Sequence, residues 1–266
     1  MQTCFEYQKE GPHLLDQKTL AYINMYAVMG ALENLCELDP EARVLLTNKK
    51  DISLAFDVKD GPKATLTFSN GRVRLEPGVR SGASIKIPVG SCEKFNAVVD
   101  GKATPVPVKG FQHINFLLKD FDALTKRLEK YLRATEEDMA DPEFAERSTV
   151  LMLYVIAVSL SQIGDYDEIG RFSASHIPDG DVQFSVKGSV GATIRVKDHV
   201  LTTVKERPEH PRAIMEFESL ELARALFDGK VNALACIGDG SIAMGGMINM
   251  IDNLNRILDR VALYLA

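Results

Sequence analysis

The stretches FNAVVDGK (residues 95–102) and ARALFDGK (residues 223–230) end in the same three residues, 128 positions apart. Each joins helix-like apolar spacing to Asp-Gly-Lys. When the chain is aligned with itself at this shift from Phe56 to Gly110, without gaps, 12 of 55 positions are identical. Unrelated sequences would give roughly 3 or 4 identities, so an internal repeat explains the match better. The sequence therefore predicts two homologous modules.

The composition is that of two ordinary globular domains. The chain has 266 residues, of which 45% are hydrophobic and 26% charged. Each half, at about 120 to 130 residues, can bury its own core without disulfides or metals. We place the first module at residues 15–133 and the second at 146–266, with the acidic stretch ATEEDMADPEFA at 134–145 as a linker.

Charge and cysteine content exclude several classes of protein. The four cysteines show no Cys-x-x-Cys spacing and no nearby His cluster, so we expect reduced thiols, no metal and a cytoplasmic location. A formal charge of -6 without a basic run argues against nucleic acid or an anionic membrane as the main partner. The N-terminal sequence lacks the pattern of a signal peptide.

One segment could be taken for a membrane span. TVLMLYVIAVSLSQIG (residues 149–164) is apolar almost all round, but its uninterrupted apolar stretch stops at Val158. That is about half of the roughly 20 residues needed to cross a bilayer. We therefore predict no membrane span but a deeply buried helix, or one lining an apolar cavity. Residues 19–38 are its counterpart, so each module begins with a helix, which Gly164 or Asp39-Pro40 ends.

After this helix each module alternates apolar and polar residues, which is typical of strands with one buried face. Asn70-Gly71 and Asp198-His199 stand where two-residue hairpin turns are expected. We predict an antiparallel meander of four strands in each module. The strands are 52–58, 64–69, 72–77 and 83–89 in the first module, and 181–186, 192–197, 200–206 and 213–217 in the second.

The repeated octapeptides are helices that follow the meander. Ser91 and Ser219 are N-cap candidates, with a glutamate in each first turn. Gly101 and Gly229 can end the helices in a left-handed conformation. The shared Asp-Gly-Lys therefore indicates a helix end and no chemistry.

The modules differ in their last third. In the second, residues 232–265 predict a strand, a Gly-rich turn, another strand and a long amphipathic helix. The corresponding part of the first module is about five residues shorter, and Pro105 and Pro107 disfavour a central strand. We expect the first module to have lost or degraded its last hairpin.

The order of these motifs resembles the sterol carrier protein family of lipid-binding domains. The second module matches most fully, through FESLELARALFDGKVNALACIGDGSIAMGGM (residues 217–247), and the first through VGSCEKFNAVVDGKATPV (residues 89–106). The resemblance implies an α+β fold of two tandem domains, each a largely antiparallel sheet with helices covering one face and a helix at either end. It also implies an apolar tunnel for sterols, fatty acids, acyl-CoA or similar lipids.

The residues themselves favour an adaptable apolar interior in the second module. Met244, Met247 and Met250 recur at three-residue spacing, and the chain has no tryptophan. The alternative is that these side chains fill an irregular core. With the resemblance, we predict ten ligand-binding residues: Met152, Val155, Phe217, Phe227, Met244, Met247, Ile248, Ile251, Leu254 and Leu258.

We expect binding without catalysis, with no cofactor, metal or catalytic residue. GDGSIAMGG lacks the Gly-Lys-Ser/Thr of a phosphate loop, GDYDEIG (164–170) lacks the rest of a calcium loop and reads as a solvated acidic turn, and the five histidines are scattered. Two alternatives stay open: an accessory module that docks to, or delivers substrate to, a separate enzyme chain, and a lipid-modifying enzyme. We expect the modules to pack as an intramolecular pseudo-dimer, with a homodimer as the alternative.

Overall fold

The computed structural model describes residues 15–47 and 50–265. Within them the chain forms one four-stranded and one five-stranded sheet, each accompanied by helices. The predicted α+β class is thus confirmed.

In the first module, helices precede and follow a sheet of four strands. The elements before and in the sheet are α1 (Gln17–Tyr22), a π-helical segment (Ile23–Val28), α2 (Ala31–Leu38), α3 (Pro40–Leu46), β1 (Ile52–Val58), β2 (Lys63–Ser69), β3 (Arg72–Pro77) and β4 (Ile85–Val89). Those after it are α4 (Cys92–Val99), a 3-10 turn (Phe111–His113), a second π-helical segment (Phe116–Phe121) and α5 (Asp122–Leu132).

The second module repeats this order with one more strand. A 3-10 turn (Asp138–Ala140) is followed by α6 (Pro142–Tyr166), α7 (Glu168–Ala174), β5 (Gly180–Val186), β6 (Gly191–Lys197), β7 (Val200–Val204), β8 (Ala213–Phe217), α8 (Leu220–Phe227), α9 (Ala233–Gly238), β9 (Ile242–Gly246) and α10 (Ile248–Tyr264). Helix α6 therefore begins inside the stretch that we predicted as a linker, and it continues two residues past Gly164, its predicted end.

The fourth strand of each module corrects the predicted meander. The strand orders are β3-β2-β1-β4 and β7-β6-β5-β8-β9. Strand β4 pairs parallel with β1, with Leu54 opposite Ile85, and β8 pairs parallel with β5, with Val182 opposite Ala213. Alternation of apolar residues determines which face of a strand is buried but not which neighbour it takes, so the sequence could not exclude this arrangement.

The turns and caps follow the sequence prediction. Asn70 and Gly71 have φ of 46° and 79°, and Asp198 and His199 have φ of 50° and 65°, as a hairpin turn with two left-handed residues requires. The hydroxyl of Ser91 accepts a hydrogen bond from Lys94 N at 3.3 Å, and that of Ser219 accepts one from Leu222 N at 3.2 Å. Local chemistry therefore sets both helix starts.

The modules differ in the strand that follows the fourth strand in space. In the first module the counterpart of β9 is a single bridge between Lys86 and Lys109. Gly110 and Gly246 both have positive φ, and a Cβ on either would collide with the carbonyl oxygen of Ser84 or Arg212, residues 128 positions apart. Gly110 is therefore equivalent to Gly246, and not to Gly238 as the gapless alignment indicates.

The stretch before the Gly-rich turn corrects a second prediction. Residues 233–238 form helix α9 and not a strand. Asn232 caps this helix, because its side chain accepts a hydrogen bond from Ala235 N at 3.1 Å. Alanine at positions 233 and 235 is the best helix former, which overrides the apolar run that suggested a strand.

Helix α6 belongs to the cores of both modules. It packs against β6, β7, α8 and α10 of its own module and against α1, α2, α5 and the first π-helical segment of the other. By length and composition it could cross a membrane, and 72% of its most apolar window is buried within the structure. Contact with both modules explains why the helix is apolar on nearly every side.

The contact between the modules pairs equivalent elements. The helix of residues 17–38 packs against α6, which is its counterpart in the repeat. Tyr22, in α1, stacks on Tyr166, at the end of α6, with ring centroids 3.5 Å apart. The first helical parts of the two modules therefore contact each other directly.

A buried carboxylate at the end of each first helix accepts hydrogen bonds from the last helix of the same module. Asp167 accepts hydrogen bonds from Arg260 at 3.2 and 2.8 Å and from the Tyr264 hydroxyl at 2.8 Å. Its equivalent, Asp39, is bound by Arg127, with one bond at 3.1 Å. We predicted a solvated acidic turn at 164–170. This prediction is wrong for Asp167, which is buried in an ion pair.

Both carboxylates stay charged inside the structure. Burial raises the pKa of Asp167, but the hydrogen bonds from Arg260, the backbone of Gly170 and Tyr264 outweigh it, and the pKa is lowered. The pKa of Asp39 is lowered in the same way, because the bonds from Arg127 outweigh its burial. Each pair therefore closes its module by joining the first helix to the last.

Replacing Arg260 with Met should reduce the free energy of unfolding by about 3 kcal/mol, because Asp167 is left charged and unpaired. Arg256→Met on the same helix is the matched control. Arg256 pairs with Asp252 at 3.2 Å, and both side chains are exposed to solvent. The loss of unfolding free energy should therefore be about 0.5 kcal/mol or less. Urea unfolding followed by circular dichroism measures both, and equal losses would contradict the role of the buried pair.

Candidate functional site

Part of the predicted binding set lies in the packed core of the second module. Val155, Phe217 and Leu254 are buried. The ring of Phe217 meets those of Phe184 and Phe227 edge to face, with centroids 5.4 and 5.7 Å apart. In the described structure these side chains fill the space between sheet and helices with their own contacts.

An open apolar groove lies beside this core. It has a volume of about 340 Å³ and is formed by strand β9 and the first turns of α10. The groove is lined by Met244, Gly245, Ile248, Ile251, Asp252 and Asn255. Three of the predicted residues, Met244, Ile248 and Ile251, are thus brought together, and Ile248 is 79% exposed.

The sequence places these residues through one strand and one helical stripe. Strand β9 is the edge of the five-stranded sheet and pairs only with β8. Met247 N donates a hydrogen bond to Arg212 O at 2.8 Å. Backbone hydrogen bonding alternates along an antiparallel strand, so the odd-numbered residues of this stretch bond to β8. The backbone groups of Met244 therefore face the open edge of the sheet. On α10, Ile248, Ile251 and Asn255 follow one another at i, i+3 and i+7 and share a face.

The other predicted residues do not line the groove. Met152, Phe227, Met247 and Leu258 are partly buried and pack against the core. Sequence reasoning missed the polar rim, Asp252 and Asn255. The sequence spacing could have identified both, because they lie at i+4 and i+7 from Ile248 and so share its helical face.

The lining of the groove suits an apolar body with an uncharged polar end. Its apolar wall consists of Met244, Ile248 and Ile251, whereas Asp252 and Asn255 supply oxygen acceptors and an amide donor. None of the six lining residues is a cation. The charge of Asp252 is already balanced by Arg256 at 3.2 Å, and the lining itself offers no cation to a negatively charged head group.

Two groups whose pKa values are shifted by burial, Asp165 and Lys205, lie at the opposite edge of the sheet. Asp165 accepts a hydrogen bond from Leu201 N of β7 at 2.9 Å, and its burial raises the pKa to about 6. Lys205 follows β7, and burial lowers its pKa although Glu33 of the first module acts against this. Lys205 lies where the modules meet, because its ammonium group is 3.5 Å from the carboxylate of Glu33. Strand β7 is the edge of the sheet opposite β9.

The metal and cysteine predictions fall partly on the described residues. Among residues 15–47 and 50–265, no group of three or more His, Cys, Asp or Glu side chains is placed to hold a metal ion. Cys36, Cys92 and Cys236 are free and buried. Cys4 and His13 lie outside the described residues.

No protein-family model and no curated protein sequence matches the chain. Three solved structures are similar in fold. The UbiJ-SCP2 ubiquinone synthesis protein is 16% identical over 41% of this chain and 95% of its own, with a TM-score of 0.33. The sterol carrier protein domain 2 of Helicoverpa armigera is 17% identical over 48% and 93%, with a TM-score of 0.33. A sterol carrier protein 2 is 10% identical over 41% and 95%, with a TM-score of 0.30.

These structures carry the name of the family that the sequence motifs indicate, and the similarity concerns the fold. Each spans less than half of this chain. What they bind is not assigned to this chain by the similarity.

Asp165→Asn should stabilise the protein at about pH 7.5. The folded state binds the Asp165 proton more tightly than the unfolded state, so stability falls as pH rises from about 4 to 6 and stays lower above that. The full pKa shift of Asp165 would correspond to about 3 kcal/mol of unfolding free energy. Because the side chain is partly exposed to solvent, we expect a gain of about 1 kcal/mol.

Urea unfolding at several pH values measures this effect. The advantage of Asp165→Asn should vanish as the pH falls below the unfolded pKa of 3.8, because Asp165 is then protonated in both states. Asp60→Asn, in an exposed turn, is the control and should show no such change with pH. A constant difference between Asp165→Asn and the wild type at all pH values would contradict the shifted pKa.

Proposed function

We propose that this chain binds an apolar or amphipathic molecule of the sterol, fatty acid or acyl-CoA class, mainly through the second module, and carries it without changing it. The observation that carries the proposal is the groove between β9 and α10, where Met244, Ile248 and Ile251 form a wall open to solvent. An exposed concave apolar wall gains free energy when a ligand removes it from water.

The size of the groove agrees with partial burial of a small lipid. Its volume of about 340 Å³ lies at the lower end of small-molecule sites. Each methylene group covered there contributes roughly 0.8 kcal/mol, so a bound chain gains affinity without many polar contacts. Met244 lines the groove, and its unbranched side chain can rearrange to admit more of a ligand.

The polar rim favours one part of this class. Asp252 and Asn255 can accept a hydrogen bond from a hydroxyl group, and Asn255 can also donate one. A neutral lipid with a hydroxyl end therefore suits the groove better than a carboxylate or a phosphate. Among the proposed ligands this favours a sterol-like molecule over an ionised fatty acid.

Binding without catalysis is supported by the separation of the two features. Two groups whose pKa values burial shifts, Asp165 and Lys205, adjoin β7, whereas the groove adjoins β9 at the far edge of the sheet. Acid–base chemistry needs its groups within hydrogen-bond reach of the substrate. A ligand in the groove lies away from both groups, so we assign the chain a carrier role in the cytoplasm.

Native mass spectrometry of the freshly purified full chain, followed by organic extraction, tests the function directly. We expect a bound lipid of the neutral, hydroxyl-bearing kind. Protein that stays ligand-free after incubation with vesicles containing sterol would overturn the carrier role.

Ile248→Glu tests the site. The side chain is exposed in the free protein, so the fold should be retained, while a second carboxylate beside Asp252 makes the groove polar. Binding of a fluorescent sterol should weaken by about tenfold, which corresponds to losing one or two buried methylene groups. Leu263→Glu, 50% exposed near the other end of α10, is the control and should bind as the wild type does.

A further inference from the structure

The segment that joins α4 to α5 in the first module exposes an unusual set of apolar side chains. Residues 102–119 read KATPVPVKGFQHINFLLK. Five large hydrophobic residues of this segment are exposed to solvent: Val106, Val108, Phe111, Ile114 and Leu118. Most of the chain's other large hydrophobic side chains are at least partly buried, so this surface needs an explanation.

The backbone brings these side chains to one surface. Between Val106 and Val108 the buried Pro107 points inward, so the two valines point outward. Phe111, Ile114 and Leu118 follow at i, i+3 and i+7 in the helical part and share its outer face.

The segment is held in place by the sheet. Val108 N donates to Lys86 O at 2.9 Å, and Lys86 N donates to Lys109 O at 3.2 Å, which joins the segment to strand β4. The ammonium group of Lys109 donates to Ala83 O at 2.8 Å. On the helical side Phe116 is buried, and its ring lies 4.9 Å from that of Phe68. The exposed side chains are therefore presented by an anchored backbone.

The charges on this surface are all positive. Lys102, Lys109 and Lys119 are exposed, and no Asp or Glu occurs between Lys102 and Lys119, in a chain whose formal charge is -6. Lys102 pairs with Asp100 at 2.9 Å, but both side chains are largely exposed and such a pair is weak. The equivalent part of the second module contains Asp239 and Asp252 and lacks this pattern.

We propose that residues 102–119 form a membrane-binding surface that inserts its apolar side chains into the interface of an anionic bilayer. Side chains such as Phe111 and Leu118 reach the boundary between head groups and acyl chains, while Lys102 and Lys119 extend their charged ends to the lipid phosphates. Lysine is depleted at the centres of protein–protein interfaces, which favours lipid over a protein partner. The net charge argues against an anionic membrane as an average over the chain, whereas residues 102–119 carry three lysines and no acidic residue, with Asp100 and Asp120 flanking the segment.

The absence of tryptophan from the chain allows a direct test. Phe111→Trp and Phe172→Trp each introduce a single tryptophan at a site of equal exposure, 64% and 62%. With vesicles of phosphatidylcholine and phosphatidylglycerol, the emission of Phe111→Trp should shift to shorter wavelength and be quenched by brominated acyl chains. Phe172→Trp, in α7 of the second module, should show neither effect.

Co-sedimentation with the same vesicles measures the fraction of protein bound to the membrane. Phe111→Ser combined with Leu118→Ser should reduce the bound fraction by about tenfold, because two inserted side chains are lost. Lys102→Glu combined with Lys119→Glu should reduce binding to anionic vesicles about tenfold and should leave the weak binding to pure phosphatidylcholine unchanged. Circular dichroism confirms that each variant is folded.

Three outcomes would overturn the inference. The serine variant could sediment with anionic vesicles as the wild type does, or Phe172→Trp could respond as strongly as Phe111→Trp. The third is a concentration-dependent dimer of the wild type that the serine variant abolishes, since the surface would then be covered by a second copy of the chain. The surface lies in the first module, so these tests do not depend on ligand binding in the second.

Discussion

The ion pair between a buried aspartate and an arginine of the last helix determines how each module closes. In the second module Asp167 and Arg260 are 93 positions apart in the chain, and the sheet lies between them in sequence. Because Asp167 also caps α7, the same carboxylate fixes the end of α6, the start of α7 and the position of α10. A buried charge without its partner is costly, so the helices cannot separate while the carboxylate is ionised. The groove, which α10 borders, depends on this placement.

The repeat explains why these pairs occur twice and why sequence reasoning missed them. Asp39 and Asp167 are separated by 128 positions, but Arg127 and Arg260 are separated by 133, because the last third of the modules differs in length. A gapless alignment therefore aligns the acids and not their partners. Turn and cap residues such as Asn70-Gly71 were predicted correctly because their chemistry is local. Parallel pairing of β4 and the buried ion pairs join distant positions, which alternation and helical spacing do not reveal.

The site shows the same limit within a single helix. Apolar residues of α10 recur at helical spacing on more than one side, and the sequence grouped Ile248, Ile251 and Leu254 as one binding surface. The structure turns Leu254 into the core and Ile248 to solvent, with Ile251 between them. Spacing predicts that residues share a face, but whether that face meets the core or an open edge depends on where the sheet ends. In the second module the sheet ends at strand β9.

Both modules must cover the outer edge of their fourth strand, because unpaired backbone groups at a sheet edge attract other chains. The second module adds β9, whose glycines leave room for a groove beside α10. The first module uses a Pro-containing segment that forms a single bridge to β4, at Lys86, and proline and lysine at an edge discourage pairing with another strand. Each solution leaves apolar side chains uncovered, in a groove in the second module and on an exposed segment in the first. A groove suits a small molecule and an exposed segment suits a broad apolar phase, so the two proposed roles arise from the same edge of the repeat.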